Sequence, residues 1–246
     1  MKYKAIFIDI DDTLLDYVPC CREAFDAAMK ALITTFRIRN IDRISEEQLF
    51  ELFFGISGRL FSEAKRGLHS VAEVMELYPR EFVERMSELA NERVSEDELS
   101  LRTDTFKHAF RAAWGETHTM VDGARETLEA LQKKGYRLFA ASNSFGHLQR
   151  SRLKRAGILA YFEDTYISMD IGYDKPDLRF FEHALRQCQL DASDVLMVGD
   201  SMTTDILGAQ KAGIDACFFN RRPEEQPDTR AADYEIRRLD ELLAIL

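Results

Sequence analysis

The sequence predicts an α/β fold, a parallel sheet with helices on both faces, interrupted by an all-helical insert. Three observations carry this. The opening segment Tyr3-Lys4-Ala5-Ile6-Phe7-Ile8 is short, apolar and β-prone, and it runs into carboxylates, as a buried strand does when it ends at a site. Residues 19–118 then change to a charged, amphipathic texture almost without β-branched runs. Beyond residue 120, helical stretches, glycines and apolar strands alternate in the pattern of βα units.

Within the insert, Ser45-Glu46-Glu47-Gln48 has the form of a capping box, and Leu49, Leu52 and Phe53 follow on one helical face. Pro19 and Pro79 interrupt the segment. Helices of about 10 to 20 residues are expected, joined near Gly55-Ile56-Ser57-Gly58 and near Tyr78-Pro79. Further on, Ala124 to Lys134 reads as a helix closed by Gly135, and Tyr136 to Ala141 as a strand. Leu148 to Ala156 is helical up to Gly157, and the helix Leu178 to Cys188 precedes the strand Val195 to Val198. Ile206 to Ala212 is helical up to Gly213, Ala216 to Phe219 is a strand, and Arg221 to Arg230 is a polar loop with two prolines.

The chain has 246 residues, and 43 Asp and Glu against 33 Lys and Arg give a formal charge of −10. That length fits one or two domains whose core needs no disulfide or metal. An acidic surplus repels a phosphate backbone, so a nucleic-acid polymer is not expected as a partner. No apolar stretch approaches the roughly 18 residues of a membrane span, and the run in MKYKAIFIDIDDTLL is too short for a signal peptide. No membrane association is expected, and a cytoplasmic location is. Cys20, Cys21, Cys188 and Cys217 lack metal-site spacing and read as reduced core thiols.

Ligands of such sheets bind beyond the carboxyl ends of the strands. There the sequence places Asp9-Ile10-Asp11-Asp12-Thr13, Ser142-Asn143-Ser144 and Gly199-Asp200, which would converge on one rim. The Asp9 carboxylate can attack phosphorus and form an aspartyl-phosphate. Asp11, two residues on, can protonate the leaving oxygen and then activate water. The plain alternative for this pair is a capping aspartate with solvated neighbours. Asp200 and Asp205 can bind a hard cation such as Mg2+ together with Asp9, or serve as N-cap residues of a βα turn. Ser142 and Asn143 offer a hydroxyl, an amide and backbone N–H groups to phosphate oxygens. Lys175, just before Pro176, can neutralise a transferring phosphoryl group. Phe145 can stack on a base or simply pack; for Phe53, Phe54, Phe61 and Trp114 in the insert, core packing competes with a place at the site.

Taken in order, Asp9-Ile10-Asp11-Asp12-Thr13-Leu14, Ser142-Asn143, Lys175-Pro176-Asp177 and Val198-Gly199-Asp200 with Asp205 resemble the four motifs of the haloacid dehalogenase superfamily. The resemblance makes residues 1–16 and 120–246 a phosphotransfer core and residues 17–119 a helical cap. It implies a Rossmann-like core, a mobile cap and Mg2+-dependent phosphotransfer through Asp9. It further implies Asp11 as general acid/base, with its backbone carbonyl on the metal. Ser142, Asn143 and Lys175 would hold the phosphoryl group, Asp200 the metal, and Asp205 would ligate it directly or order its water. Dehalogenase members lack the second acid, so Asp11 points to phosphate chemistry.

The stretches from Ser142 to Phe145, Ile171 to Asp177 and Gly199 to Ser201 look most like the pyrimidine 5′-nucleotidase subgroup, as does Phe219-Asn220 with Glu225-Gln226-Pro227. One departure is Ser142-Asn143-Ser144, where that subgroup more often has Thr-Asn-Gly; serine keeps the hydroxyl. The expectation is a phosphomonoesterase of a small phosphorylated metabolite, with UMP, dUMP and dTMP foremost. A sugar phosphate or other metabolite phosphate is the alternative substrate, and a phosphosugar mutase is a weaker one. A signalling module holding a long-lived aspartyl-phosphate, or a scaffold, are the non-enzyme alternatives. Asp11 opposes the signalling module by speeding dephosphorylation, and the intact motifs oppose the scaffold.

Overall fold

The structure is a computed structural model and describes residues 2–222 and 231–246. The loop expected up to Arg230, with Glu225, Gln226 and Pro227, lies outside the described residues from position 223 on. In chain order the strands are β1 (Ala5–Ile8), β2 (Arg137–Ser142), β3 (Asp164–Ile167), β4 (Val195–Gly199), β5 (Asp215–Phe219) and β6 (Tyr234–Ile236). The helices are α1 (Tyr17–Thr35), α2 (Glu46–Lys65), α3 (Val71–Leu89), α4 (Glu96–Trp114) and α5 (Ala124–Lys133). There follow α6 (Gly146–Arg155), α7 (Ser168–Ile171), α8 (Leu178–Cys188), α9 (Leu207–Lys211) and α10 (Leu242–Ile245). The chain divides into two compact units, Met1–Tyr17 with His118–Leu246, and Val18–Thr117. None of the described helices is long and apolar enough to cross a membrane.

The first unit is a six-stranded parallel sheet in the order β3-β2-β1-β4-β5-β6. Its central strands are apolar on both faces because both faces are covered, as parallel sheets require. Ile6 and Ile8 pack with Leu138, Ala140, Leu196 and Val198 on one face. Ala5 and Phe7 pack with Phe139, Ala141, Val195 and Met197 on the other. Each such large side chain contributes about 1.5–3 kcal/mol when fully buried. Ile8 lies opposite Ala140 on one side and Val198 on the other, so the chain leaves β1, β2 and β4 at one edge. The strand order reverses between β1 and β4, and the crevice at that switch point is where such sheets bind ligands.

The short strands β3 and β6 were not legible in the sequence. Only two residues of Asp-Thr-Tyr-Ile and one of Tyr-Glu-Ile are buried, too few for a period to show. The helix expected from Ile206 begins instead as a π-helical turn, Met202–Ile206, and continues as α9.

In the second unit the structure corrects the expected joints. Ser45 closes its capping box with Gln48, but α2 runs unbroken through Gly55 and Gly58. Its next connection is Arg66 to Ser70, where Ser70 and Glu73 form a second capping box opening α3. Pro79 lies inside α3. A proline there frees the carbonyl four residues earlier; the Met75 oxygen accepts instead from Arg111 Nη2 of α4, at 3.1 Å. Pro19 sits in the first turn of α1, where no intrahelical donor is lost. The unit's core is aromatic: Phe25, Phe53, Phe82, Phe106 and Phe110 form a network whose contacting ring pairs have centroids 4.8–6.1 Å apart. Phe53 and Trp114 are buried in this unit, the packing alternative for both.

Arg102 is almost fully buried in this unit and donates to both oxygens of Glu92, at 2.8 and 3.2 Å, and to Glu98 at 2.5 Å. The hydrogen bonds from Arg102 hold the Glu92 carboxyl below its ordinary range. A depressed carboxyl pKa adds stability above the unfolded value, lost as pH falls through the folded one. Glu92→Gln is therefore expected to destabilise the protein by about 2 kcal/mol at neutral pH. Urea unfolding against pH should show the difference from wild type shrinking on acidification; a pH-independent difference would contradict it.

Candidate active site

The chain leaving β1 presents Asp9 and Asp11. Asp9 N–H donates to the Val198 carbonyl at 2.9 Å, and the N–H groups of Leu14 and Leu15 both return to the Ile10 carbonyl at 2.8 Å, closing a turn over residues 10–15. Asp12 adopts a left-handed conformation, φ 58°, within it. Its Oδ1 accepts from Arg221 and Arg222 at 2.8 and 3.0 Å, which helps hold this turn.

Lys175 stands at the centre of the site. It is buried, and its ammonium donates to Asp9 Oδ1 at 2.7 Å, Asp205 Oδ1 at 2.6 Å and the Ala141 carbonyl at 2.7 Å. All three of its hydrogens are used. Asn143 grips the lysine's main chain at both ends, Nδ2 donating to the Lys175 carbonyl and Oδ1 accepting from its N–H, each at 2.8 Å. The Asn143 side chain thus positions Lys175, and its amide oxygen and one amide hydrogen are spent on that loop.

Asp205 arrives from the π-helical turn. Its Oδ2 accepts from Ser201 N–H at 3.0 Å, and Ser201 caps the turn through Thr204 N–H at 3.3 Å. A Cβ on Gly199 would collide with the Asp205 carboxylate, so the close approach requires glycine at the end of β4. A π-turn at such a place re-aims a side chain, as π-bulges at functional sites do.

Asp9, Asp200 and Asp205 each offer an oxygen, all within 4.8 Å of one another. Burial pushes the Asp9 carboxyl well above its usual range; Lys175 pulls it down, while Asp205 and Asp200 push it further up. Burial opposes the Lys175 charge, yet Asp205 and Asp9 outweigh it and keep the ammonium protonated. Three carboxylates against one ammonium leave an excess of negative charge in a poorly solvated place. The donor set fits a hard divalent cation with oxygen ligands.

Asp11 points elsewhere. Its Oδ1 accepts from Arg152 Nη1 at 2.6 Å and its Oδ2 from Gln149 Nε2 at 2.7 Å, and the same Gln149 nitrogen donates to Ser142 Oγ at 2.9 Å. Phe145 is half-buried at the start of α6, its ring 6.0 Å from that of His147. The structure therefore gathers Asp9, Lys175, Asp200 and Asp205 into one cluster and links Asp11 to Ser142 beside it. Gln149 and Arg152 escaped the sequence reading. The missed signal was their position: with Leu148 and Leu153 they occupy the inward stripe of α6, where polar residues need partners.

A family model described as haloacid dehalogenase-like hydrolase matches residues 3–213. The HAD-hydrolase YfnB of Bacillus subtilis is 31% identical over 250 residues, covering 100% of this chain and 96% of that protein. Its crystal structure, bound to magnesium, aligns with a TM-score of 0.80 at 28% identity, covering 100% of this chain and 99% of that one. Pyrimidine 5′-nucleotidase PynA of Streptococcus pneumoniae is 28% identical over 248 residues, covering 100% of this chain and 96% of its own length. A glyceraldehyde 3-phosphate phosphatase of Methanothermobacter thermautotrophicus is 29% identical over 221 residues, covering 88% of this chain and 85% of that enzyme. Motifs, sheet topology and these likenesses agree: the chain belongs to the haloacid dehalogenase-like hydrolases, as a phosphatase with a Rossmann-like core and a helical cap.

Proposed function

We propose that this phosphatase is Mg2+-dependent, works through an aspartyl-phosphate on Asp9, and hydrolyses pyrimidine nucleoside 5′-monophosphates. The observation that carries the mechanism is the buried Asp9–Lys175–Asp205 cluster with Asp11 beside it. An Asp9 oxygen attacks phosphorus while the bond to the leaving 5′-oxygen breaks, and Asp11 gives that oxygen its proton. Asp11 then takes a proton from water; the hydroxide attacks phosphorus, the Asp9–phosphorus bond breaks, and inorganic phosphate leaves. Lys175 and the Ser142 hydroxyl hold the phosphoryl oxygens, and Asn143 keeps Lys175 in place. Asp9, Asp200 and the Asp11 carbonyl would hold Mg2+, with Asp205, engaged by Lys175 and Ser201, ordering the ligands behind them. Bound there, Mg2+ supplies charge neutralisation and Lewis acidity toward the phosphoryl oxygens. Residues 18–117 are the substrate-selecting cap in this scheme.

The nucleotide substrate is supported by the subgroup-like motifs and by the full-length similarity to PynA. A sugar phosphate is the second reading, favoured by a comparable identity to the glyceraldehyde 3-phosphate phosphatase. Phosphate release from UMP, dUMP, dTMP, CMP, purine monophosphates and sugar phosphates, with Mg2+ and with EDTA, separates them. The expected outcome is activity concentrated on UMP, dUMP and dTMP, falling on the order of 100-fold or more in EDTA. Activity concentrated on a sugar phosphate would overturn the nucleotide assignment and keep the chemistry. Accumulation of a stable acyl-phosphate in place of turnover would favour the signalling reading.

A further inference from the structure

One side chain bridges the two groups that the reaction uses for proton transfer and for phosphate binding. Gln149, on α6, is fully buried. Its Nε2 donates to Asp11 Oδ2 at 2.7 Å and to Ser142 Oγ at 2.9 Å. Its Oε1 accepts from Arg152 Nη1 at 2.8 Å, and that nitrogen also donates to Asp11 Oδ1 at 2.6 Å. A guanidinium has donors only, so the Gln149 oxygen must face Arg152 and its NH2 group must face Asp11 and Ser142. The two amide hydrogens are then shared one to each partner. Each oxygen of Asp11 has its own donor. Ser142 Oγ acts as an acceptor toward Gln149, which leaves the hydroxyl's own hydrogen for a phosphoryl oxygen.

We propose that Gln149 is a positioning residue: locked by Arg152, it aims the Asp11 carboxyl for proton transfer and turns the Ser142 hydroxyl hydrogen toward the phosphoryl group. The inference rests on the roles proposed for Asp11 and Ser142. It explains why an uncharged amide, and not an apolar residue, occupies a fully buried position on the inward stripe of α6. A buried amide is costly unless its hydrogen bonds are made, and here they are made to the reacting groups.

Gln149→Leu keeps the approximate shape and removes both donors. With Mg2+ present, it is compared with wild type on p-nitrophenyl phosphate, whose leaving group departs without a proton, and on the best alkyl phosphate ester of the substrate panel, whose leaving group needs one. The loss is read in kcat/KM, which reports the leaving-group step and not the later hydrolysis shared by both esters. It is expected to be on the order of 100-fold for the alkyl ester and below about tenfold for the aryl ester. In an Asp11→Ala background, Gln149→Leu should lower kcat/KM further by no more than the loss of below about tenfold expected on the aryl ester, because only its action through Ser142 remains. Equal losses on the two esters, or full additivity with Asp11→Ala, would overturn the proposal. Gln149→Met, a flexible chain of similar length, gives the same comparison if the leucine variant does not fold. Asp11→Ala alone separates the two layers. If it shows no leaving-group preference in kcat/KM, the acid role given to Asp11 fails; if it does and the Gln149 variants do not, only the positioning role fails.

Discussion

Asp9→Asn is expected to lower kcat on the order of 10⁴-fold or more in the presence of Mg2+, with the fold intact, because no acyl-phosphate can form on an amide. Asparagine keeps the shape and can still accept from Lys175 at the position of Asp9 Oδ1. The variant also carries a stability signature. Burial raises the Asp9 carboxyl pKa, aided by Asp205 and Asp200 and opposed by Lys175. A carboxyl with a raised folded pKa destabilises the folded state increasingly as pH climbs above its unfolded value, about 3.9. Without metal, Asp9→Asn should therefore be at least as stable as wild type at neutral pH, and any gain should shrink on acidification. Phosphate release and urea unfolding in EDTA from acid to neutral pH check both arms. Activity within tenfold of wild type would remove Asp9 as the nucleophile.

Lys175→Met is expected to cost more in stability than any surface change. Among the described residues its ammonium is the cation bonded to both Asp9 and Asp205, and it is buried with them. Its removal leaves two carboxylates facing each other without a counter-charge, and breaking a buried pair from one side costs about 3–5 kcal/mol. The loss should be largest in EDTA and smaller with Mg2+, because a cation at the carboxylates offsets the same excess charge and binding to the folded state stabilises it. Activity should fall on the order of 100- to 1000-fold, the size found when one preorganised donor to a developing charge is lost. Urea unfolding with and without Mg2+, beside kcat on the preferred substrate, measures this. A stability change below about 1 kcal/mol in EDTA would show that Lys175 does not neutralise the cluster.

Much of the core was legible because strand ends in a parallel sheet carry the chemistry and strands buried on both faces read as apolar runs. β1, β2, β4 and β5 were found within a residue or two of their observed bounds. Asp9 and Asp200 follow, and Ser142 ends, three strands that sit side by side in register. The helical unit was legible as helical and misjudged at its joints. Gly55 and Pro79 are punctuation only when no partner compensates; the exposed face of α2 tolerates the glycine, and Arg111 satisfies the carbonyl that the proline strands.

By itself the sequence determined which groups stand at the strand ends, since a period of two and a glycine at a helix end are local properties of a chain. It also determined the family, through four motifs whose order is linear. Only the tertiary structure decided what those groups touch. Asn143 meets Lys175 across 32 residues, and Gln149 meets Asp11 across 138. Each of these bonds joins polar groups that water would otherwise satisfy, so their pairing is set when burial removes the water and leaves one another as the available partners.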